Sequence, residues 1–126
     1  MISFDVKSLF TNVPLDITID IILKKVYDER LINTNIKRED MKSLLLMCTK
    51  SVPFTFNDDM YIQTKGVSMG SPLGPLLANV FMCELENTLV PTLTENMDMW
   101  TRYVDDTFAF MKVNQQSTIL EKHIRT

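Results

Sequence analysis

Histidine is almost missing from this sequence, with His123 alone, and cysteine is scarce, with Cys48 and Cys83. A structural zinc site needs about four nitrogen or sulfur ligands, which one histidine and two distant cysteines cannot supply. No serine, cysteine or aspartate is spaced with His123 as a catalytic triad would suggest. The cysteines lie in apolar helical patterns and read as reduced core thiols rather than a disulfide framework. Long apolar runs are absent: nothing approaches the ~18 residues of a membrane span. No basic segment followed by an apolar one marks a signal peptide. Basic charge is also short, with 13 Lys and Arg against 16 Asp and Glu and a net charge of −3. A free-standing nucleic-acid binder usually carries a basic face, so any nucleic-acid role must draw its phosphate contacts from elsewhere. Glycine is rare, and all three glycines fall in one stretch, Gly66, Gly70 and Gly74.

What is present reads as one domain of ordinary size, 126 residues without repeats, low-complexity tracts or an internal linker. "ISFDVKSLF" opens on β-type residues, a strand ending near Lys7. Apolar residues at Ile19, Ile22 and Val26 keep the 3.6-residue period, which predicts a helix from about Ile17 to Leu31 with Asp16 as N-cap. "IKREDMKSLLLMCTKS" predicts a second helix with Met41, Leu44, Leu45 and Cys48 on one face. "FTFNDDMYIQ" alternates on either side of a polar turn, a β-hairpin. Ser71-Pro72 makes an N-cap and first-position pair for a third helix, expected to end before Pro91. A second hairpin is expected around a tight Asp105-Asp106 turn, and "QQSTILEKHIRT" begins a last helix. Mixed helices and antiparallel hairpins give the fold class α+β.

Three motifs carry chemistry. In "RYVDDTF", Asp105 and Asp106 sit inside an apolar, aromatic run. Two carboxylates ~4 Å apart repel by roughly 4 kcal/mol at an effective dielectric of 20. Such a pair marks either an exposed type I′ turn with both groups solvated or the holder of a divalent cation. Magnesium takes oxygen ligands, commonly one or two carboxylates plus substrate phosphates. In "SFDVKSLF", Asp5 is either a strand-end cap or a further carboxylate, from a second strand, that could join Asp105 around a metal pair. In "GVSMGSPLGPLLANVFM", glycines precede a helix. That suits close approach of a phosphate, or is a plain loop and helix start. It is not a Walker loop, because the Gly-Lys-Ser/Thr ending is missing. "NDDMYIQTK" lacks the glycine and terminal glutamate of an EF-hand.

Taken together and in this order, the motifs resemble those of a reverse transcriptase palm. "FDVKSLFTNVP" is similar to motif A, "GVSMGSPLGPLLANVFM" to motif B and "RYVDDTFAF" to motif C. The wording "FTNVPL", "MGSPLGPLLAN" and "RYVDDTF" is most similar to Penelope-like retroelements, and the resemblance runs from Phe4 to Val113.

The resemblance implies an RNA-directed DNA polymerase that works with an RNA template, a DNA primer and dNTPs. Two Mg2+ ions, with Mn2+ as a substitute, would be its cofactors. Asp5 would be the motif A metal ligand and Asp105 the main motif C ligand, with Asp106 a second motif C carboxylate closer to a supporting role and the Val6 carbonyl as a further ligand. Phe10 would exclude a ribose 2′-hydroxyl, Met69 and Gly70 would line the nucleotide pocket, and Tyr103 and Val104 would lie under the primer end. Many relatives carry Gln where Met69 aligns, and a thioether cannot replace an amide's hydrogen bonds. Either the nucleotide is positioned differently here or Gln63 compensates. The family's fingers and thumb, and the GIY-YIG endonuclease domain of many Penelope-like elements, are not recognised in these residues. Residues 1–126 therefore read as a palm fragment, without a membrane role and, by resemblance, intracellular and nuclear. The alternatives are an inactive retroelement remnant or a domesticated interaction module. An RNA-templated RNA polymerase shares the palm logic, but Phe10 speaks against it.

Overall fold

The computed structural model describes residues 2–50, 52–68, 70–93 and 97–111. Their contacts divide the chain into two units, one formed by the first seven residues with those from Leu85 onward, the other by Ser8–Glu84. Met69, His123 and the expected last helix lie outside the described residues. Among the described residues, no helix is long and apolar enough to cross a membrane.

In the first unit, β1 (Ile2–Asp5), β4 (Met97–Tyr103) and β5 (Asp106–Met111) form an antiparallel sheet in the order β1-β5-β4. Side chains alternate across a sheet, and directly paired residues share a face. Ala109 pairs with Ile2 and Trp100, and Thr107 with Phe4 and Arg102. Ala109 and Thr107 are fully buried, so this face is the packed one. Asp106, Phe108 and Phe110 alternate with them onto the other face, together with Asp5, Ser3, Thr101 and Tyr103. Phe108 and Phe110 meet there edge to face, with centroids 5.2 Å apart. A strand with two differently solvated faces is what "DTFAFM" encodes by its alternation.

The second unit holds α1 (Leu9–Asn12), α2 (Leu15–Leu23), α3 (Arg38–Lys50) and the hairpin β2 (Pro53–Phe56) and β3 (Asp59–Ile62). It also holds the first half of α4 (Gly74–Leu93). Leu9, Val13, Ile19, Leu23, Val67, Leu77, Ala78 and Met82 form its core. The one buried hydroxyl among them, that of Thr18, donates to the Pro14 carbonyl at 2.9 Å, so burial leaves it satisfied. Helix α3 carries no buried residue. Ion pairs Lys42–Asp20 at 2.8 Å and Lys50–Asp16 at 2.7 Å tie it to α2. Both are exposed, and exposed pairs contribute ~0–1 kcal/mol each.

Mixed helices and antiparallel strands agree with the α+β expectation. The β2–β3 hairpin forms with Asn57 and Asp58 at φ 50° and 66°, the positive values a type I′ turn requires. Several expectations are corrected. The helix expected to reach Leu31 changes after Leu23 into a π-helical turn, Lys24–Asp28, and Arg30 at φ 51° then leaves helical space. The third helix does not stop before Pro91 but runs to Leu93. Pro91 has no N–H to give the Asn87 carbonyl, so the helix forgoes one ladder bond there, and the Thr92 hydroxyl donates to the Leu89 carbonyl at 2.6 Å. Cys48 is exposed and Cys83 only half-buried, so neither is a core thiol. The short helix α1 was not foreseen: Ser8 enters it at φ 52°, and the side chains of Thr11 and Asn12 both donate back to the Ser8 carbonyl.

Candidate active site

The carboxylates come together through strand register. Asp5 ends β1 directly opposite Asp106, which begins β5. One step on, the Val6 N–H donates to the Asp105 carbonyl at 3.2 Å. A ladder bond at the next position makes Asp5 and Asp106 a non-hydrogen-bonded pair, the closer of the two antiparallel arrangements, with Cα atoms about 4.5 Å apart. Both are exposed on the open face of the sheet. Among the described residues, no side-chain hydrogen bond or ion pair engages Asp5, Asp105 or Asp106.

The hairpin turn is not centred on the two aspartates. Tyr103 pairs with Asp106, so the two turn residues are Val104 and Asp105, and Asp106 already belongs to β5. The register of β5 decides this, because Asp106 must sit opposite both Asp5 and Tyr103. Val104 takes φ 57°. A β-branched residue rarely adopts that left-handed conformation, and such strain persists only where the surroundings impose it. Asp105 is half-buried in this turn, and Tyr103 beside it is 82% exposed.

Sequence reading missed the support under the turn. Glu86, on the second half of α4, accepts from the Trp100 Nε1–H at 3.0 Å and from the Arg102 Nε–H at 2.7 Å and Nη2–H at 3.1 Å. The Arg102 Nη1–H donates to the Val104 carbonyl at 3.0 Å. Its signal was available: a strand that puts Trp100 and Arg102 on its packed face needs a partner for the arginine. Burial pushes the Glu86 carboxyl up, but the hydrogen bonds from Arg102 and Trp100 and the Arg102 charge outweigh it. The net result holds the group below its ordinary value of 4.5. A lowered pKa stabilises the fold above the unfolded-state value and loses that contribution as pH falls through the folded value. Urea unfolding at descending pH should therefore show extra loss of stability below about pH 4.5, and Glu86→Gln should flatten it.

The glycine loop does come close to something, but two of its three glycines answer to the protein's own backbone. Gly66 sits at φ 69°, and a Cβ there would lie 2.5 Å from the Thr11 Cα and against the Phe10 carbonyl oxygen. That carbonyl accepts the Val67 N–H at 2.7 Å, stitching the loop to α1. A Cβ on Gly74 would lie 2.7 Å from the Ser68 carbonyl oxygen. Gly70 is exposed, and a Cβ there would meet only the Ser68 Oγ at 3.9 Å. Nothing in the loop itself therefore demands glycine at that position. The Ser71 hydroxyl accepts the Leu73 N–H at 3.3 Å in the turn ahead of α4, which begins only at Gly74, so Ser71-Pro72 is not the N-cap and first-position pair expected. The Gln63 side chain donates to the Lys65 carbonyl at 2.7 Å and is half-buried, so its amide nitrogen is engaged within the loop.

The donor set fits a divalent cation of the magnesium class in one respect. Asp5 and Asp106 offer adjacent, exposed carboxylates, the one or two that such an ion takes from protein when substrate phosphates complete its shell. Among the described residues, no group of three His, Cys, Asp or Glu side chains is already gathered to hold a metal ion.

The family model for reverse transcriptase (RNA-dependent DNA polymerase) matches residues 1–126, the whole of this sequence. No curated protein matches the chain.

Proposed function

This chain belongs to the reverse transcriptase family, and from that premise we propose that it carries the palm of an RNA-directed DNA polymerase of the Penelope-like branch. The reading rests on one observation above the rest: Asp5 and Asp106 are cross-strand neighbours on an open sheet face, with Asp105 next to them in a strained turn. In this reading Asp5, Asp105 and Asp106 would hold two Mg2+ or Mn2+ ions, with the Val6 carbonyl as a further ligand. Bound there, divalent cations supply Lewis-acid stabilisation of the attacking and leaving oxygens in an in-line displacement. The primer 3′-oxygen attacks the α-phosphorus of a dNTP, and the bond to the leaving pyrophosphate breaks. The protein's own share is position and charge. By the resemblance, Tyr103 and Val104 would lie under the primer end, and Met69 and Gly70 would be the nucleotide-pocket residues. An RNA template, a DNA primer and dNTPs are the partners.

Phe10 carries a specific role in this reading, exclusion of a ribose 2′-oxygen by its ring. Its backbone is fixed by the bond from Val67 and its ring lies 3.8 Å from the position of a Cβ on Gly74. A gate held this firmly should discriminate sterically. Phe10→Ala is expected to raise ribonucleotide incorporation relative to deoxyribonucleotide by about tenfold or more, since a lost steric clash is worth at least one or two kcal/mol. An unchanged ratio in primer extension removes the gate assignment.

The direct test of the function is extension of a DNA primer on an RNA template with dNTPs and Mg2+. A second reading, an interaction module that has lost catalysis, is favoured by the β2–β3 hairpin. Its Phe54, Phe56, Met60 and Ile62 are all exposed. Template-dependent extension that needs Asp5 and Asp106 decides for the polymerase. A folded chain inert on every template decides for the module.

A further inference from the structure

The β2–β3 hairpin forms a sheet of its own, and every residue of both strands is exposed. An isolated hairpin is marginal in water, and this one carries apolar side chains on both faces. Phe54 and Tyr61 stack on one face with centroids 5.7 Å apart, and Phe56 follows Phe54 on the same side. Met60 and Ile62 stand on the other face, 76% and 61% exposed.

The register decides which edge of this sheet can be extended. Asn57 and Asp58 are the two turn residues, so Phe56 and Asp59 exchange the hydrogen bonds that close the hairpin, and Phe54 and Tyr61 do the same two steps on. The pairs between them, Thr55 with Met60 and Pro53 with Ile62, are non-hydrogen-bonded, and their backbone groups point outward. On β2 that outward row is blunted, because Pro53 has no N–H to offer. On β3 it is intact. Met60 and Ile62 each turn out a donor and an acceptor, and among the described residues no backbone hydrogen bond beyond the hairpin engages them. Neither proline, lysine nor bulge interrupts β3, so the usual guards against edge pairing are missing from this strand.

We propose that β3 is a dimerisation edge, which pairs antiparallel with β3 of a second copy of this chain about a twofold axis at Tyr61. The strand is complementary to itself in that register. Met60 of each copy comes opposite Ile62 of the other, and their outward N–H and C=O groups exchange hydrogen bonds. Tyr61 meets its own counterpart as the non-hydrogen-bonded pair between them, with Cα atoms about 4.5 Å apart. The two stacked Phe54–Tyr61 pairs then make one aromatic row across the joined sheet, while Met60 packs on Ile62 on the opposite face. Charge agrees with backbone. The same register sets Asp59 opposite Gln63 of the second copy, and Lys65 lies one alternation further, a diagonal neighbour within reach of a long side chain. Asp59 and Lys65 are both exposed, and among the described residues no hydrogen bond or ion pair engages either side chain. The edges left over are the two β2 strands, each guarded by Pro53, so the assembly closes as a pair and does not propagate as a fibre.

A contact this short falls at the small end of specific interfaces, below about 1,200 Å². Sedimentation velocity on the whole chain, from about 10 μM to 1 mM, is therefore expected to show a monomer–dimer equilibrium. Lys65→Glu and Asp59→Lys should each weaken the dimer about tenfold, since each replaces two attractive pairs by two repulsive ones. Both changes in one chain should restore it, because the pairs re-form with their signs exchanged. Met60→Pro removes an outward N–H and no bond of the hairpin, and should abolish the dimer. Amide hydrogen exchange gives the second readout. The Met60 and Ile62 N–H groups should gain protection as concentration rises, whereas those of Phe54 and Tyr61, bonded inside the hairpin, stay protected throughout and in Met60→Pro. A chain that remains monomeric over the whole range overturns the proposal. So does association that ignores the charge exchanges and leaves Met60 and Ile62 unprotected, which is the adhesion of apolar faces. If Met60→Pro also loses protection at Tyr61, the hairpin itself has failed, and the charge exchange alone decides.

Discussion

Asp106→Asn should abolish primer extension and leave the fold at least as stable as before. The two halves of this prediction come from one piece of geometry. Asp5 and Asp106 face each other in a non-hydrogen-bonded pair, and like charges directly opposite on adjacent strands destabilise a sheet by a fraction of a kcal/mol. An amide removes the repulsion and keeps the size, so the unfolding free energy from urea titration should hold or rise slightly, by about 0.5 kcal/mol at most. The same change takes away one ligand and one negative charge from the proposed cation site. Lewis-acid stabilisation of a phosphoryl transition state is worth several kcal/mol, and about 4 kcal/mol is a thousandfold in rate. Extension should therefore fall by about a thousandfold or more. Wild-type extension in a folded Asp106→Asn protein would exclude the carboxylate from catalysis. A fall in stability would mean that the pair is held by interactions other than the ones described.

The second large effect should come from Gly66→Ala, and it is purely structural. The backbone there is at φ 69°, and the added methyl would press on the Phe10 carbonyl and lie 2.5 Å from the Thr11 Cα. Left-handed strain alone costs about 1–3 kcal/mol. The clash is with backbone, which cannot swing aside as a side-chain tip would. The loop must move, and the Val67–Phe10 hydrogen bond goes with it. A loss of about 2–4 kcal/mol is expected in chemical denaturation. Gly70→Ala is the control, since open space surrounds that position. It should leave stability within about 0.5 kcal/mol. Equal tolerance of alanine at both positions would show that the loop is not stitched to α1 as described.

Much of the fold was legible because it depends on local pattern. The alternation of "DTFAFM" and "FTFNDDMYI" names the hairpins, and the period of "LLLMC" and "LLANVF" names helices. What was not legible depends on distant partners. The placement of the second turn at Val104–Asp105 follows from β1 pairing with β5 in one register, and a two-residue shift would look equally good in sequence. Glycine clustering fits either close approach of a phosphate or a plain loop and helix start, and Gly66 and Gly74 in fact serve close approach of the chain to itself. Tertiary proximity of Phe10 to the loop cannot be seen from spacing. The brace beneath the turn escaped for the same reason: Glu86 and Arg102 meet across 16 residues. Only the arginine's place on a packed strand face hinted that a carboxylate was needed.

Of the site itself, the sequence offered three aspartates in two motifs. The register adds which two are paired: Asp106 stands opposite Asp5, and Asp105 is set into the turn. The acid sensitivity expected from Glu86 follows the same logic, because a carboxylate stabilised by Arg102 and Trp100 loses that support once protonated. The proposed function and the stability of the fold therefore meet at the second turn, where a strained residue and a catalytic candidate share one peptide beside a supporting ion pair.

Asp5, Asp105 and Asp106 are proposed to hold cations at one site. Mn2+ titrated into isotopically labelled protein tests it directly, because the ion broadens the amide signals of whatever lies nearest. The first signals to vanish should be those of Asp5, Val6, Asp105 and Asp106, and Asp106→Asn should restore them. Broadening that begins instead at Asp58 and Asp59, or no selective broadening at millimolar Mn2+, would contradict it.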